Sequence, residues 1–153
     1  MDRVDRGILE ALQENAELSI ADVAEKVGLS PTPCWRRIQK LEERGVIRKR
    51  VALLEPKQVN LGLTVFISVR TNHHKIEWFE SFYQLVNAMP EVVEFYRVTG
   101  NTDYLIKVMV SSIEGYDKVY KTLIKGAELA DVSSMFAMEQ IKYTTALPLD
   151  QAL

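Results

Sequence analysis

Between Ser30 and Arg50 the chain gathers Arg36, Arg37, Lys40, Arg44, Arg48, Lys49 and Arg50 against only Glu42 and Glu43, although its formal net charge is -2. Guanidinium groups donate paired hydrogen bonds to phosphates or to the edge of a guanine, and threonine or glutamine reaches other base edges. A compact basic island on an otherwise acidic chain is what a nucleic-acid-binding module joined to a second domain would show, although a solvated helix face carries the same charge. A second group with chemistry to offer is Thr99-Gly100-Asn101-Thr102-Asp103. Glycine lets the backbone approach a ligand, neighbouring amides can hold a carboxylate, and an aspartate can receive an ammonium group. The same residues also close ordinary hairpins.

Other chemistries find little support. His73 and His74 are adjacent and cannot comfortably grip one metal ion, so they read as loop residues. Cys34 is the single cysteine, which excludes an internal disulfide, and it falls on a stripe that reads as buried packing. No nucleophile paired with a base, phosphate loop or metal motif is present, so neither cofactor nor metal is expected. With 47% hydrophobic and 26% charged residues the composition is that of an ordinary globular protein. Its longest apolar runs fall far short of the roughly 20 residues of a membrane span, and no secretory leader is legible. A reducing cytoplasm is the expected compartment, with no membrane partner.

The elements that must position these groups are legible from period and caps. A first helix is expected over about Asp2 to Asn15, with Val4, Ile8 and Leu12 on one stripe. A second opens at Ser19 and stops at Gly28, where glycine can take the left-handed conformation and Leu29 can drop back into the core. Ser30 is expected to cap a third helix, with Pro31 at its first position, running to Arg44. Helix, short glycine-containing turn and helix is the helix-turn-helix arrangement. At about 100° per residue, Cys34, Ile38 and Leu41 face inward. Thr32, Arg36, Gln39 and Glu43 then face outward, flanked by Trp35 and Lys40. Arg36, Thr32 and Gln39 are therefore the base-edge candidates, and the unpaired amides of the helix start could hold a phosphate. Arg37 sits nearer the core edge and suits either a phosphate contact or an internal ion pair. Val46 to Leu54 alternates as a short strand or β-ribbon, and its Arg48, Lys49 and Arg50 would flank a groove as a wing. Trp35 either stacks on the nucleic-acid backbone or packs beneath that wing.

The strings Asp2-x-x-Asp5-x-x-Ile8-Leu9, Ala24-x-x-Val27-Gly28-Leu29-Ser30 and Cys34-x-Arg36-Arg37-Ile38-x-x-Leu41-Glu42-x-x-Gly45-Val46-Ile47 together resemble the Lrp/AsnC family of feast/famine regulators. The arginine pair followed by Leu-Glu-x-x-Gly-x-Ile is the restrictive part. The resemblance continues to about Leu149, through Gly100-Asn101-Thr102-Asp103, which is similar to the family's Gly-x-x-Asp hairpin. It implies that an amino-acid effector binds between dimers of the assembled oligomer, close to this hairpin. Ser133 and Ser134 are further candidates because they are expected near it.

Glu55 to Gly62 holds proline, asparagine and glycine between apolar runs and reads as a linker. The domains are therefore expected at residues 1–54, a winged helix-turn-helix for DNA, and 63–153, for sensing and oligomerisation. Strands are expected at about Leu63–Thr71, Glu91–Thr99, Asp103–Ser111 and Val132–Lys142, with helices over Ile76–Met89 and Ile113–Lys125. The fold class is α+β, a winged helix-turn-helix followed by a ferredoxin-like βαββαβ sandwich of the dimeric α/β-barrel type. Phe66, Leu105, Met109 and Met135 would leave an apolar patch on the face away from the helices, which points to a homodimer, and the resemblance implies that such dimers assemble further into tetramers or octamers. The partners expected are double-stranded DNA and an amino acid or similar effector. A small enzyme built on the second half, with Asp103 as a buried acid, is the alternative; it requires a closed cavity and an acid–base partner.

Overall fold

Reciprocal caps open the first two helices. In the computed structural model, which describes residues 1–151, α1 spans Arg3–Glu14 and α2 spans Ile20–Val27. Asp2 accepts from the backbone N–H of Asp5 at 2.8 Å while Asp5 accepts from that of Asp2 at 3.1 Å. Ser19 and Asp22 repeat the exchange at 3.1 and 3.2 Å, so two otherwise orphaned amides are satisfied at each start. Gly28 ends α2 at φ +69°, and Leu29 N–H bonds back to Ala24 O at 2.9 Å. The third helix, α3, spans Pro31–Glu43.

Ser30 precedes α3 without capping it, contrary to expectation. Pro33, at the third helical position, has no N–H for the serine to accept, which removes one of the two usual capping donors. Ile8, Val23, Cys34, Ile38 and Leu41 are buried together where the three helices meet. Gly45, at φ +70°, turns the chain out of α3, and both Val46 and Ile47 donate to Leu41 O at 2.9 and 3.1 Å. No strand forms over residues 46–54, so the expected ribbon is an irregular segment without a ladder. Alternation alone cannot make a strand, because its N–H and C=O groups need a neighbouring strand to pair with.

The sheet is built from β1 (Leu63–Arg70), β2 (Val92–Arg97), β3 (Tyr104–Val110) and β4 (Asp131–Phe136) in the order β2-β3-β1-β4, with every neighbouring pair antiparallel. Helices α4 (Ile76–Asn87) and α5 (Ile113–Gly126) cover one face. Val65, Ile67 and Val69 of β1 and Tyr104, Ile106 and Val108 of β3 meet Phe82, Val86, Val119 and Leu123 of the helices, all buried. Phe82 stands edge-on to Tyr104 with ring centroids 5.2 Å apart.

The fourth strand ends earlier than the sequence pattern implies. After Ala137 N–H bonds to Thr64 O at 3.0 Å the chain runs on without a ladder. Two compact units result: Met1–Leu53 joined by the segment from Ile141 onward, and Leu54–Gln140. The tail, expected to belong with the second domain, packs on the helices. Gln13 donates from Nε2 to Leu147 O at 3.2 Å and accepts from Leu147 N–H at 2.7 Å, and Leu149 adds its side chain to the helical core. The last two residues of the expected second domain lie outside the described residues.

Candidate functional site

On α3 the inward stripe is buried as its period requires, and this places the outward side chains. Thr32, Trp35, Arg36 and Lys40 are exposed, with Trp35 at 49% accessibility rather than packed beneath the basic segment after Gly45. Arg36 forms no ion pair among the described residues. Gln39 is half-buried and donates to Glu42 Oε2 at 3.2 Å; Glu42 Oε1 also holds Arg50 at 2.9 Å. Arg48 and Lys49 are exposed and have no such partner among the described residues.

Arg37 takes the internal alternative. Its Nη1 lies 2.6 Å from Asp2 Oδ2 and 2.7 Å from Asp5 Oδ1, tying α3 to the start of α1. The hydrogen bond from the Asp5 amide, followed by that from Arg37, holds the Asp2 carboxyl below the usual aspartate range. The two carboxylates in turn push Arg37 up. A residue that the sequence offers as a DNA contact is thus engaged inside the helical unit. The start of α3 is also a poorer anion site than expected. Pro31 and Pro33 carry no N–H, and Cys34 N–H bonds to Ser30 O at 3.3 Å, which leaves Thr32 as the first-turn donor. Burial raises the Cys34 thiol, as suits a packed side chain rather than a reactive thiolate.

The hairpin joining β2 to β3 forms the second group. Val98 N–H bonds to Asp103 O at 2.9 Å and Asp103 N–H to Val69 O at 3.0 Å, which docks the hairpin on the end of β1. Asp103 Oδ2 accepts from Thr71 N–H at 2.8 Å, and the Thr102 and Ser68 hydroxyls are 2.7 Å apart. Gly100 has φ +107° with open space where a Cβ would stand, so its glycine answers the backbone conformation and not a close approach within the protomer.

Arg70, Thr71, His74, Gly100, Asn101 and Asp103 line a recess of about 320 Å³. Asp103 is part of a hairpin brace opening on this recess. Thr99 and Thr102 lie on the same hairpin. The two serines part company: Ser133 pairs with Ser68 on the open face, whereas Ser134 pairs with Ile67, and its hydroxyl meets Tyr116 on the helix side. Ser134 is therefore removed from the candidate group, because neighbours on a strand point to opposite faces. Sequence reading missed Arg70, Thr71 and His74. The available signal was the outward position of Arg70 in β1; what brings it to the hairpin is the β1–β3 register. His73 stacks on Trp78 at 5.9 Å and pairs with Glu128 at 3.2 Å, facing other partners than His74 does.

The open sheet face carries Phe66, Leu105, Met109 and Met135, as the alternation implies. Glu94 and Lys107 form a part-buried pair at 2.7 Å there, and the hydrogen bond from Lys107 keeps Glu94 below the usual carboxylate range. Among the described residues no group of three His, Cys, Asp or Glu side chains gathers into a metal site, and no helix is long and apolar enough to cross a membrane.

Residues 1–48 match a family model described as winged helix-turn-helix DNA-binding, and residues 64–147 match one described as Lrp/AsnC ligand binding domain. The DNA-binding transcriptional activator DecR of Escherichia coli is 46% identical over 98% of this chain and 99% of its own length. A crystal structure of an AsnC family transcriptional regulator from Agrobacterium tumefaciens superposes with TM-score 0.96 at 61% identity and covers both chains fully. A transcriptional regulator from Neisseria meningitidis in complex with L-Met superposes with TM-score 0.94 at 39% identity, over 100% of this chain and 99% of its own.

Proposed function

The chain belongs to the Lrp/AsnC family of DNA-binding transcription regulators, and from that premise we propose that residues 1–54 read DNA while the domain from residue 63 senses an amino acid. The observation that carries the DNA half is the outward face of α3, where Arg36 stands exposed beside Thr32 and Lys40, without an ion pair among the described residues. Arg36 is the base-reading residue, and Thr32, Trp35, Lys40, Arg48 and Lys49 contact base edges or backbone around it. Gln39 and Arg50 contribute only as far as Glu42 releases them. Arg37 supports the interface from within by fixing α3 on α1.

The sensing half rests on the hairpin recess. One carboxylate oxygen of Asp103 is held by Thr71, and the other is available to an ammonium group. The Neisseria relative's complex with L-Met supports an amino acid as the effector class here. The apolar open face of the sheet is the surface through which two copies form a dimer, giving paired reading helices for a palindromic site, and dimers assemble further into tetramers or octamers. Binding of the effector between dimers would change their packing and so the number of DNA heads that engage together. Such a regulator works in the cytoplasm.

The test is a binding titration of the full-length protein on its own upstream DNA and on a scrambled duplex, at two salt concentrations, with and without a mixture of amino acids. Preference for the upstream DNA that shifts when amino acids are added is the expected result. Absence of DNA binding in every condition would overturn the assignment of residues 1–54, and DNA binding indifferent to every amino acid would overturn that of the recess.

A further inference from the structure

We infer that the effector carries a second anionic group on its side chain, as an acidic amino acid does, and that Arg70 is the residue that selects it. This rests on the reading of the hairpin recess as the effector site.

Small-molecule sites are mostly apolar, with a few placed polar groups. The recess departs from that pattern, since none of Arg70, Thr71, His74, Gly100, Asn101 and Asp103 brings an apolar side chain to it. An aliphatic or thioether side chain would find no apolar wall on this protomer, whereas a charged one would find partners. Arg70 is the strongest of them. Its Cα partner across the β1–β4 ladder is Asp131, yet the two side chains form no ion pair, and Arg70 has no other ion-pair partner among the described residues. A guanidinium in that position presents a forked set of donors that matches a carboxylate.

The remaining groups fit the two ends of an α-amino acid. The free oxygen of Asp103 suits the ammonium. Among the described residues the N–H groups of Gly100 and Asn101 donate to no backbone acceptor, and they are available to the α-carboxylate. With those two functions assigned to the hairpin, Arg70 is left for the distal end of the ligand, and His74 adds a further donor on the same wall. Two carboxylates and one ammonium on the ligand then face one cation, one carboxylate, one imidazole and two amides in the recess, so each charge has a counterpart.

The experiment is isothermal titration of the full-length protein with L-glutamate, L-aspartate, L-glutamine and L-methionine, repeated on Arg70→Met with its fold checked by circular dichroism. An acidic amino acid should bind about tenfold tighter than L-glutamine or L-methionine to the unaltered chain, and Arg70→Met should bring that ratio close to one, because a charge-assisted hydrogen bond is lost. Arg70→Lys, which retains the charge and loses the fork, should restore part of the preference. L-Methionine or L-glutamine binding as tightly as the acidic pair overturns the inference and leaves an amino-acid sensor in place. No binding of any amino acid overturns both.

Discussion

Asp103 reaches across from the β2–β3 hairpin to the first residue after β1, where its Oδ2 accepts the N–H of Thr71 at 2.8 Å. That bond makes two roles of the carboxylate separable. Asp103→Asn keeps a side-chain carbonyl for Thr71 and removes the charge, so the fold should be retained while the response to amino acids is lost. Asp103→Ala removes both, and the buried Thr71 amide then costs about 1–3 kcal/mol if it goes unpaired. Thermal melts alongside effector titrations check the pair. An asparagine variant with an unchanged response would reduce Asp103 to a hairpin brace.

The tie between Arg37 and the start of α1 has a pH signature. Because the folded chain holds Asp2 below its ordinary value of 3.8, the tie contributes stability that is present above that value and lost as pH falls through the lower folded one. Asp2→Asn should abolish this acid-side loss, and Arg37→Met should both weaken it and lower the melting midpoint by a few degrees at neutral pH. Melts followed between pH 7 and pH 2 test it, and parallel acid profiles for the parent and Asp2→Asn would sink it.

Arg36 and Lys49 should fail differently. Arg36→Ala removes a base-edge donor, so discrimination between operator and scrambled duplex should fall by about 1–3 kcal/mol. Lys49→Ala should weaken binding to both duplexes alike and reduce the salt slope by about one. Equal losses on all sequences for Arg36→Ala would move it to the phosphate-contacting group.

For the open sheet face, the informative change is Leu105→Glu. Leu105, the second residue of β3, lies between Ser68 of β1 and Tyr96 of β2, so a carboxylate there would be desolvated at a sheet-to-sheet contact. The dimer dissociation constant should rise by at least about tenfold. Sedimentation velocity decides it, and an unchanged mass distribution would place the dimer contact elsewhere.

Period and capping chemistry carried the helices and the inner faces. Cys34, Ile38 and Leu41 of α3 and Tyr104, Ile106, Val108 and Val110 of β3 are all buried, as their spacing implies. What escaped the sequence depends on partners that spacing does not specify. The basic residues after Gly45 alternate like a strand, but no second strand among the described residues pairs with them. Ser30 has the right type and place for a cap, and Pro33 withholds one of the two usual donors. Ser133 and Ser134 cannot be assigned to faces until β4 is set against β1, and Arg70 joins the hairpin only through the β1–β3 register. The tail is rich enough in apolar residues to pack somewhere, but its spacing does not say that Gln13 and the helical core would hold it.

Because the segment from Ile141 is grouped with Met1–Leu53, the sheet unit is, in topological terms, an insertion within the helical one. Chain crosses between the units twice, once on each side of Leu54–Gln140. A single nick in the residues before β1 would therefore leave two fragments that still share the helical unit, clasped where the Gln13 amide grips Leu147 and Leu149 enters the core. The chain that leaves β4 thus ends against α1, held there by hydrogen bonds and packing and by no bond of the backbone.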